Sequence, residues 1–232
     1  MHDSRVRLLV HDGEHGLAAS CNEGLAAARG DVVVLLSPEV TVTPGWSTRL
    51  VRHLASQERA GAVGPLWNRG AGLQQVAPVD YNERTLSGLT GFADRIARTA
   101  SGRATGVVRL AHLCLAISRP ALRRVGGFDP RFFPEGYEDD DFCLRLMTGG
   151  LVPYRADDVF VHVEAPAEPP ADPAALSRFA EDNWRRFKSK WRLPADRPRE
   201  RRYSPEELLL DPYDRERCFI APWKATTPIK IE

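Results

Sequence analysis

The hydrophobic positions of the chain alternate between short continuous runs and helical spacing, which predicts strands and helices in turn. Val32 to Leu36 is a continuous apolar run of the kind buried on both faces of a sheet. Leu17 to Ala28 is rich in alanine and is followed by Gly30, which predicts a helix ending there. The same reasoning predicts strands at 6–10, 62–66, 107–118 and 154–163, and helices at 44–57, 120–125 and from 138 onward. This alternation predicts an α/β fold around a mainly parallel sheet, with its ligand at the carboxyl ends of the strands.

The last third of the chain is predicted to be an appendage to a core at residues 1–165. Residues 166–174 are rich in proline, which predicts a linker to a C-terminal part at 175–232. An amphipathic helix follows, whose apolar face we expect to pack on the core. Its other face carries basic side chains: Arg185, Arg186, Lys188, Lys190 and Arg192. That face is predicted to be solvated, with peripheral contact to an anionic lipid-linked acceptor as the alternative.

Two further stretches lack a regular pattern. Residues 193–232 contain several prolines and few apolar runs, which predicts an extended tail. Residues 68–106 are rich in glycine and weakly periodic, which predicts a mobile loop.

Composition limits the function without naming it. A net charge of +1 on 232 residues argues against nucleic acid as a partner. The longest apolar run is far shorter than the roughly 20 residues that a transmembrane helix takes, and the N-terminus does not resemble a signal peptide. The four cysteines lie far apart without metal-type spacing, which suits reduced thiols and predicts a cytoplasmic location.

The segment from 125 to 146 carries the most chemistry. Four acids, Glu138 to Asp141, open a helical pattern after a loop that contains Gly126 and Gly127. Acids in the first turn suit the helix dipole, so a solvated helix cap is one interpretation. The aromatic side chains that precede them, including Phe132 and Tyr137, favour a second interpretation, in which the carboxylates are held at the edge of a cleft.

This segment resembles the acceptor-side motif "GGFDxxFFxxxEDxDLxxR" of the GT-A glycosyltransferases of family 2. Residues 16–31, 32–46 and 61–65 resemble three other segments of the family in the same order, so the resemblance covers roughly residues 5–165. It implies a GT-A, Rossmann-like fold. It also implies transfer of a sugar, with inversion, from a nucleotide-diphosphate sugar to a carbohydrate or other hydroxyl acceptor, with Mg²⁺ or Mn²⁺ as the cofactor.

The resemblance assigns roles to individual residues. Asp139 aligns with the catalytic base, and Glu138, Asp141 and Tyr137 fall where the acceptor binds or the helix is capped. The assigned donor residues are Asn22, Ser37 and Pro38, and the assigned metal ligands are Glu39 and His162.

The match is imperfect at the metal loop. Ser37 replaces an Asp or Asn, and Glu39 is one methylene longer than the usual Asp. An exposed turn acid at Glu39 and a structural His162 therefore stay open as alternatives. His112 is assigned no role.

The resemblance also predicts that something is missing. The two strands that the family places before Val6, including the turn that grips the nucleoside, have no counterpart, so the fold is predicted to be N-terminally truncated. Three explanations stay open: a piece of a longer enzyme, a domain completed by another polypeptide, or a non-catalytic binding or scaffold module that has lost nucleotide binding. We expect weak nucleotide binding and a bare sheet edge, with Val6–Val10 paired to Asp31–Leu36, paired to another chain in an oligomer, or loose.

Overall fold

Six strands form one sheet, and helices cover both of its faces. The computed structural model describes residues 3, 5–11, 13–69, 72–165, 172–200, 203–208 and 212–222. The strands are β1 Val32–Leu36, β2 Val40–Thr41, β3 Ala60–Trp67, β4 Ala104–Gly106, β5 Cys114–Ser118 and β6 Val152–Val163. The helices are α1 Leu17–Ala27, α2 Trp46–Ser56, α3 Leu89–Thr99, α4 Arg119–Val125, α5 Glu138–Thr148, α6 Pro173–Trp191, α7 Pro205–Leu208 and α8 Arg215–Cys218.

The sheet has the order β1-β5-β3-β6-β2, with β4 beside β6. The predicted α/β class is confirmed, although only β3 and β6 pair in parallel. The other pairs are antiparallel because β5 runs against both β1 and β3, and because β2 and β4 run against β6. Strands β1, β3 and β6 nevertheless share one direction, so their carboxyl ends meet at one edge together with the start of β5.

The central strand β5 is buried on both faces. Leu115 and Ile117 face a core formed with α1, α4 and α5, while Cys114 and Ala116 face a second core that includes Leu50 of α2. This explains why continuous apolar runs mark the central strands of this sheet. The cysteines are free thiols, and Cys114, Cys143 and Cys218 are buried.

The segment 68–106 differs from the predicted mobile loop, because it contains α3 and β4. Leu89, Phe92 and Ala93 lie on one face of α3 and pack against Phe160 of β6. The rings of Phe92 and Phe160 meet edge to face at 4.8 Å. The helix is stabilised by this tertiary packing, while glycines at its flanks obscure its pattern in the sequence.

The predicted strand at 6–10 is wrong. Val6, Leu8 and Val10 are exposed, and Leu9 forms only an isolated bridge. The segment lies beside α1 and is held to it by a polar contact, in which Arg7 Nη2 donates to the Ala27 carbonyl at 2.5 Å. Among the described residues β1 pairs only with β5, so the predicted direct pairing of 6–10 with 31–36 does not form. The predicted strand at 107–118 also shortens to β5, and residues 107–113 form a loop.

The C-terminal helix packs on the core as predicted. Trp184, Phe187 and Trp191 of α6 form an apolar cluster with Phe132 and Leu144. Most of the predicted linker, residues 166–171, lies outside the described residues. No helix in the described part of the chain is long and apolar enough to cross a membrane.

The predicted extended tail is wrong for the part of it that is described. It contains α7 and α8, and Leu208 is buried against the aromatic cluster of α6. Further on, Gly127 N–H donates to the Ile220 carbonyl at 2.8 Å and Ile220 N–H donates to the Val125 carbonyl at 3.2 Å. The tail therefore returns to the core because apolar side chains and backbone groups find partners there.

Candidate active site

The acid cluster, defined as Glu138, Asp139, Asp140 and Asp141, occupies the first turn of α5. Tyr137 precedes this turn in the left-handed conformation, with φ at 73°. Carboxylates at this position face the free N–H groups of the helix, which stabilise negative charge. The cluster thus combines four acids with a local positive potential.

The loop before the cluster is held by Asn22 of α1. Asn22 Nδ2 donates to the Phe128 carbonyl at 2.7 Å, and the Phe128 N–H donates to Asn22 Oδ1 at 2.7 Å. A Cβ at Gly127 would collide with this amide, and a Cβ at Gly126 would collide with the Ile220 carbonyl. The absence of side chains at the two glycines therefore lets Asn22 and the Ile220 backbone pack directly against the loop. Asn22, predicted to bind the donor, instead has its buried amide engaged by the loop.

We expect Asn22→Ala to lower the free energy of unfolding by about 2 kcal/mol, because it leaves the buried Phe128 N–H and carbonyl without partners. Urea unfolding followed by circular dichroism measures the change. Ser20→Ala, on the same helix with an exposed hydroxyl, is the control and should change stability by less than about 0.5 kcal/mol. Equal free energies of unfolding for the two variants would contradict the role of Asn22 in holding the loop by hydrogen bonds.

Glu138 is buried, and it faces His112, which lies in the loop before β5. Gly136 N–H donates to Glu138 Oε2, and His112 Nδ1 lies 3.4 Å from Glu138 Oε1. Burial, together with the charge of Asp139, raises the pKa of Glu138 to about 8. Burial lowers the pKa of His112, while the charges of Glu135 and Glu39 oppose that change. The imidazole and the carboxyl group are close, but His112 Nδ1 has no hydrogen-bond partner among the described residues.

Asp139 and Asp140 are also shifted toward the protonated form. Burial raises the pKa of Asp139, although the Asp140 N–H donates to Asp139 Oδ1 at 2.8 Å and Arg109 lies nearby. Burial raises the pKa of Asp140 to about 7, with the charge of Asp139 adding to the effect. Asp140 is engaged by Arg109 Nη1 at 3.2 Å and by the Tyr203 hydroxyl. Asp139 is half-buried and has no hydrogen bond to Tyr203 in the described part of the chain, whereas Asp140 is buried and engaged by both Arg109 and Tyr203.

The raised pKa of Glu138 predicts a pH dependence of stability. Between its ordinary value of 4.5 and about 8 the folded state binds more protons than the unfolded state, so stability falls as pH rises through this window. We expect Glu138→Gln to raise the free energy of unfolding above about pH 8 by on the order of 1–3 kcal/mol, with little change below about pH 4.5. Part of the slope should remain, since the pKa values of Asp139 and Asp140 are raised as well.

Urea titrations across this pH range measure the slope. Glu58→Gln is the matched control, because Glu58 is exposed and should leave the slope unchanged. If the free energy of unfolding changes with pH in the same way in Glu138→Gln and in the wild type, burial of an ionisable carboxyl group at this position is contradicted.

Asp141 points away from the other acids into the interface with α6. Its Oδ2 accepts from Arg145 Nε at 2.8 Å, and its Oδ1 accepts from Trp191 Nε1 at 3.0 Å and lies 2.7 Å from Lys190 Nζ. Lys190 also reaches Asp129 at 2.8 Å. Asp141 and Arg145 are fully buried, so Asp141 is engaged in a structural ion network and not in the predicted acceptor contact.

Tyr137, also predicted to bind the acceptor, is partly buried. Its ring stacks on Trp184 at 5.4 Å and packs against Phe187 at 5.3 Å. Burial raises the pKa of Tyr137 to about 12, so its hydroxyl stays protonated and can donate. The ring fixes the start of α5 to α6.

The predicted metal loop follows β1 at the carboxyl edge of the sheet. Ser37 Oγ donates to Glu39, which lowers the pKa of Glu39, and Ser37 N–H donates to the Leu113 carbonyl at 2.8 Å. Pro38 and Glu39 are exposed. The loop is thereby tied to the segment that carries His112.

His162, near the end of β6, lies in the strand next to this loop. Thr41 pairs with His162, and the Glu164 N–H donates to the Glu39 carbonyl at 2.9 Å. Glu39 lies in the turn just before β2, which pairs with β6, so Glu39 and His162 belong to neighbouring segments at this edge. The approach of their side chains to one cation stays a prediction. Among the described residues no group of three or more His, Cys, Asp or Glu side chains forms a metal cage.

The ring of His162 is held with one nitrogen unused. The Tyr81 hydroxyl lies 2.7 Å from Nδ1, which fixes the ring. The buried Nε2 finds no hydrogen-bond partner in the described part of the chain, and Glu164 Oε2 lies 3.4 Å away. An imidazole nitrogen beside carboxylates suits Mn²⁺, which completes its coordination with phosphate oxygens. The residues present therefore fit a divalent cation, although the metal role stays a prediction.

Several residues of the site were not predicted from the sequence: Tyr81, Arg109, His112, Glu164 and Tyr203. Arg109 and His112 come from a loop that was predicted to be a strand, and Tyr203 comes from the predicted tail. His112 had a usable signal, because a histidine among apolar residues at the start of a strand lies at the edge of the sheet. For Tyr203 only the tertiary fold supplies the contact.

Comparison with solved structures identifies the class of the fold. The chain resembles the crystal structure of GalNAc-T7 with UDP, GalNAc and Mn²⁺, with a TM-score of 0.56 and 19% identity over 78% of this chain and 36% of that chain. It also aligns with the mannosyltransferase PcManGT from Pyrobaculum calidifontis in complex with GDP-Man and Mn²⁺, with a TM-score of 0.43 and 17% identity over 78% and 52% of the two chains. The fold, as the first of these shows, is that of the GT-A glycosyltransferases.

A sequence comparison relates part of the chain to a known family. Residues 2–113, just under half of the chain, match the model described as glycosyl transferase family 2. A curated relative, described as "Uncharacterized protein y4gI" of Sinorhizobium fredii (strain NBRC 101917 / NGR234), is 28% identical over 159 residues, covering 64% of this chain and 17% of the relative. The chain thus spans about a sixth of the length of that relative. The acid cluster lies beyond the matched residues.

Proposed function

We propose that this chain carries the catalytic carboxylate and acceptor side of an inverting glycosyltransferase. The enzyme moves a sugar from a nucleotide-diphosphate sugar to the hydroxyl of a carbohydrate or similar acceptor. The observation that carries the proposal is Asp139, a half-buried carboxylate with a raised pKa in the first turn of α5. The match of residues 2–113 to the glycosyl transferase family 2 model supports it.

In this proposal Asp139 accepts the proton of the acceptor hydroxyl as that oxygen attacks the anomeric carbon. Attack from the side opposite the leaving diphosphate inverts the configuration. A carboxylate whose pKa is raised by burial is a stronger base than an exposed one, and general-base help of this kind contributes about 10²- to 10⁴-fold. Arg109 and Tyr203 hold Asp140, which limits charge repulsion beside the base.

The neighbours of Asp139 orient the acceptor. The partly exposed His112 offers an imidazole that can bond a hydroxyl of a sugar, and the Tyr137 hydroxyl offers a further donor. The buried Glu138 lies 3.4 Å from His112 and acts on the acceptor through it. Asn22 and Asp141 have no direct role in this scheme, because the motif loop and the α6 interface occupy their polar atoms. They keep the loop and the helix in place.

The divalent cation is assigned to His162 Nε2, with carboxylate help from Glu164 and Glu39. Mg²⁺ or Mn²⁺, when bound, neutralises the charge of the leaving diphosphate. Ser37 and Pro38, in the same loop as Glu39, are assigned to the diphosphate of the donor. Tyr81 fixes the ring of His162, which favours one orientation of its free nitrogen.

We expect His162→Ala to weaken Mn²⁺ binding at least about tenfold, because it removes the single nitrogen donor of the set. Calorimetric titration with MnCl₂ measures the affinity without any need for turnover. His15→Ala is the control, since His15 is exposed and distant in sequence from the site. Unchanged Mn²⁺ affinity in His162→Ala would contradict the assignment.

The proposal as a whole is tested by following nucleoside diphosphate release from UDP-, dTDP- and GDP-sugars with Mn²⁺ and a panel of saccharide acceptors. Turnover that depends on an acceptor supports a transferase. Saccharide binding without turnover or donor binding would instead favour the alternative, a non-catalytic binding or scaffold module.

A further inference from the structure

An open groove of about 1000 Å³ lies outside the acid cluster. Its walls are α6, the segment at Arg131 and Phe132, and the C-terminal segment at Glu216 and Ile220. Residues 137–140, His112 and His162 do not contribute to it. The groove is therefore separate from the proposed catalytic and metal sites.

The groove is lined mainly by basic side chains: Arg131, Arg185, Arg186, Lys190 and Arg192. On α6 the positions 182, 185, 186, 189 and 192 are spaced three or four residues apart and so share one face. Two acids, Asp182 and Glu216, also line the groove. The buried Asp129 and Asp141 engage Lys190, and the cations exposed along the groove include Arg131, Arg185 and Arg186.

The arginines differ in how far their charge is already neutralised. Arg185 pairs with Asp182, but both side chains are well exposed, and exposed pairs contribute little. Arg186 Nη1 donates to the neutral Asn183 Oδ1 at 2.8 Å, so this bond leaves its charge uncompensated. Arg131 reaches Asp129 at 2.6 Å while its side chain is 64% exposed. Lys190 is internal, because its ammonium group is held by two buried carboxylates.

Guanidinium groups on opposite walls of a groove match the geometry of phosphate oxygens. Each one presents a planar fork of N–H donors that binds a phosphate through two parallel hydrogen bonds. Here Arg131 stands on one wall, and Arg185 and Arg186 stand on the wall formed by α6. The volume exceeds that of a single phosphate group, which leaves room for a diphosphate or for the rest of a phosphorylated molecule.

We propose that this groove binds a phosphate-bearing anion, namely a phosphate monoester or diphosphate. Such a group reaches the groove either as a soluble diphosphate or as the head group of an anionic lipid. The site is distinct from the proposed donor site, so it can be tested without any assay of sugar transfer.

The test compares the wild type with Arg185→Gln/Arg186→Gln. Both side chains are exposed, so the variant should fold, and its circular dichroism and melting temperature check this. Arg52→Gln/Arg98→Gln removes the same charge from exposed positions on α2 and α3 and is the matched control. One arm titrates pyrophosphate by calorimetry in EDTA. The other sediments vesicles of phosphatidylcholine and phosphatidic acid in equal amounts, with phosphatidylcholine alone as the reference.

The groove variant should bind at least about tenfold more weakly than the wild type, which corresponds to the loss of a charge-assisted contact. The control should bind like the wild type. Loss of pyrophosphate binding alone identifies a soluble ligand, and loss of vesicle binding alone identifies a lipid head group. The proposal is overturned if the wild type binds neither probe, if both double variants lose binding equally, or if the groove variant keeps full affinity. If the double variant fails to fold, Arg186→Gln alone is held to the same criteria.

Discussion

Asp139→Asn should reduce sugar transfer by about 10²- to 10⁴-fold, because it removes the proton acceptor without changing the shape of the side chain. The Asp140 N–H can still donate to the amide oxygen of the new side chain, so the first turn of α5 should stay intact. Donor binding should also persist, since the residues assigned to the cation and the donor lie elsewhere. The expected signature is a fall in turnover with little change in the donor dissociation constant.

Initial rates of nucleoside diphosphate release and calorimetric binding of the donor separate the two effects. Asp196→Asn is the matched control, because the same chemical change is made at an exposed position. If Asp139→Asn keeps more than about a tenth of the wild-type rate, the loss is too small for the removal of a general base. Asp139 would then be excluded from that role.

Asp141→Asn should lower the free energy of unfolding by about 3–5 kcal/mol, which is the cost of breaking a buried ion pair by removing one partner. Two buried carboxylates, Asp129 and Asp141, face two cations, Arg145 and Lys190. Without the charge of Asp141, Arg145 keeps only the Val125 and Gly127 carbonyls as described partners, and it has no access to water. The loss is large because the remaining charge cannot be solvated.

Urea unfolding followed by tryptophan fluorescence measures this change. Asp182→Asn is the matched control, since it removes a carboxylate from an exposed pair with Arg185 and should cost at most about 1 kcal/mol. Similar losses in the two variants would mean that the Asp141 network contributes no more than a surface pair. A stable Asp141→Asn protein with impaired saccharide binding would restore the acceptor role predicted from the sequence.

The parts of the fold that the sequence predicts are those in which local pattern and tertiary environment agree. The continuous run at 32–36 became β1, and the acids before Phe142 became the first turn of α5. The segment 6–10 has a suitable apolar content, but it stays exposed and does not pair with the open edge of β1 in the described part of the chain. Conversely, α3 has Leu89, Phe92 and Ala93 at helical spacing, a signal that the surrounding glycines obscure.

The candidate site was only partly predictable for a related reason. Local motifs mark Asp139 and its neighbours, yet the partners that decide what each acid does come from remote segments. In the sequence, Asp141 does not differ from the neighbouring acids, but in the structure its carboxylate contacts Trp191 and Lys190 of α6. Asp140 is engaged by Arg109 and Tyr203, which lie far from it in the chain. Contacts between distant segments leave no periodic signal, so their effect on charge could not be anticipated.

The return of the C-terminal segment to the motif loop has a consequence for cooperativity. The amide of Gly127 and the amide of Ile220 are hydrogen-bonded within one patch of backbone, although α5 and α6 separate them in the chain. Hydrogen-bonded segments of this kind open together, so hydrogen exchange should give the two amides the same free energy of opening. Opening of the tail would release the loop below the acids and, through Tyr203, one oxygen of Asp140. The stability of the C-terminal segment and that of the acid cluster are therefore coupled. Proteolytic removal of this segment would disturb the acid cluster, although the cleaved residues lie far from it in the chain.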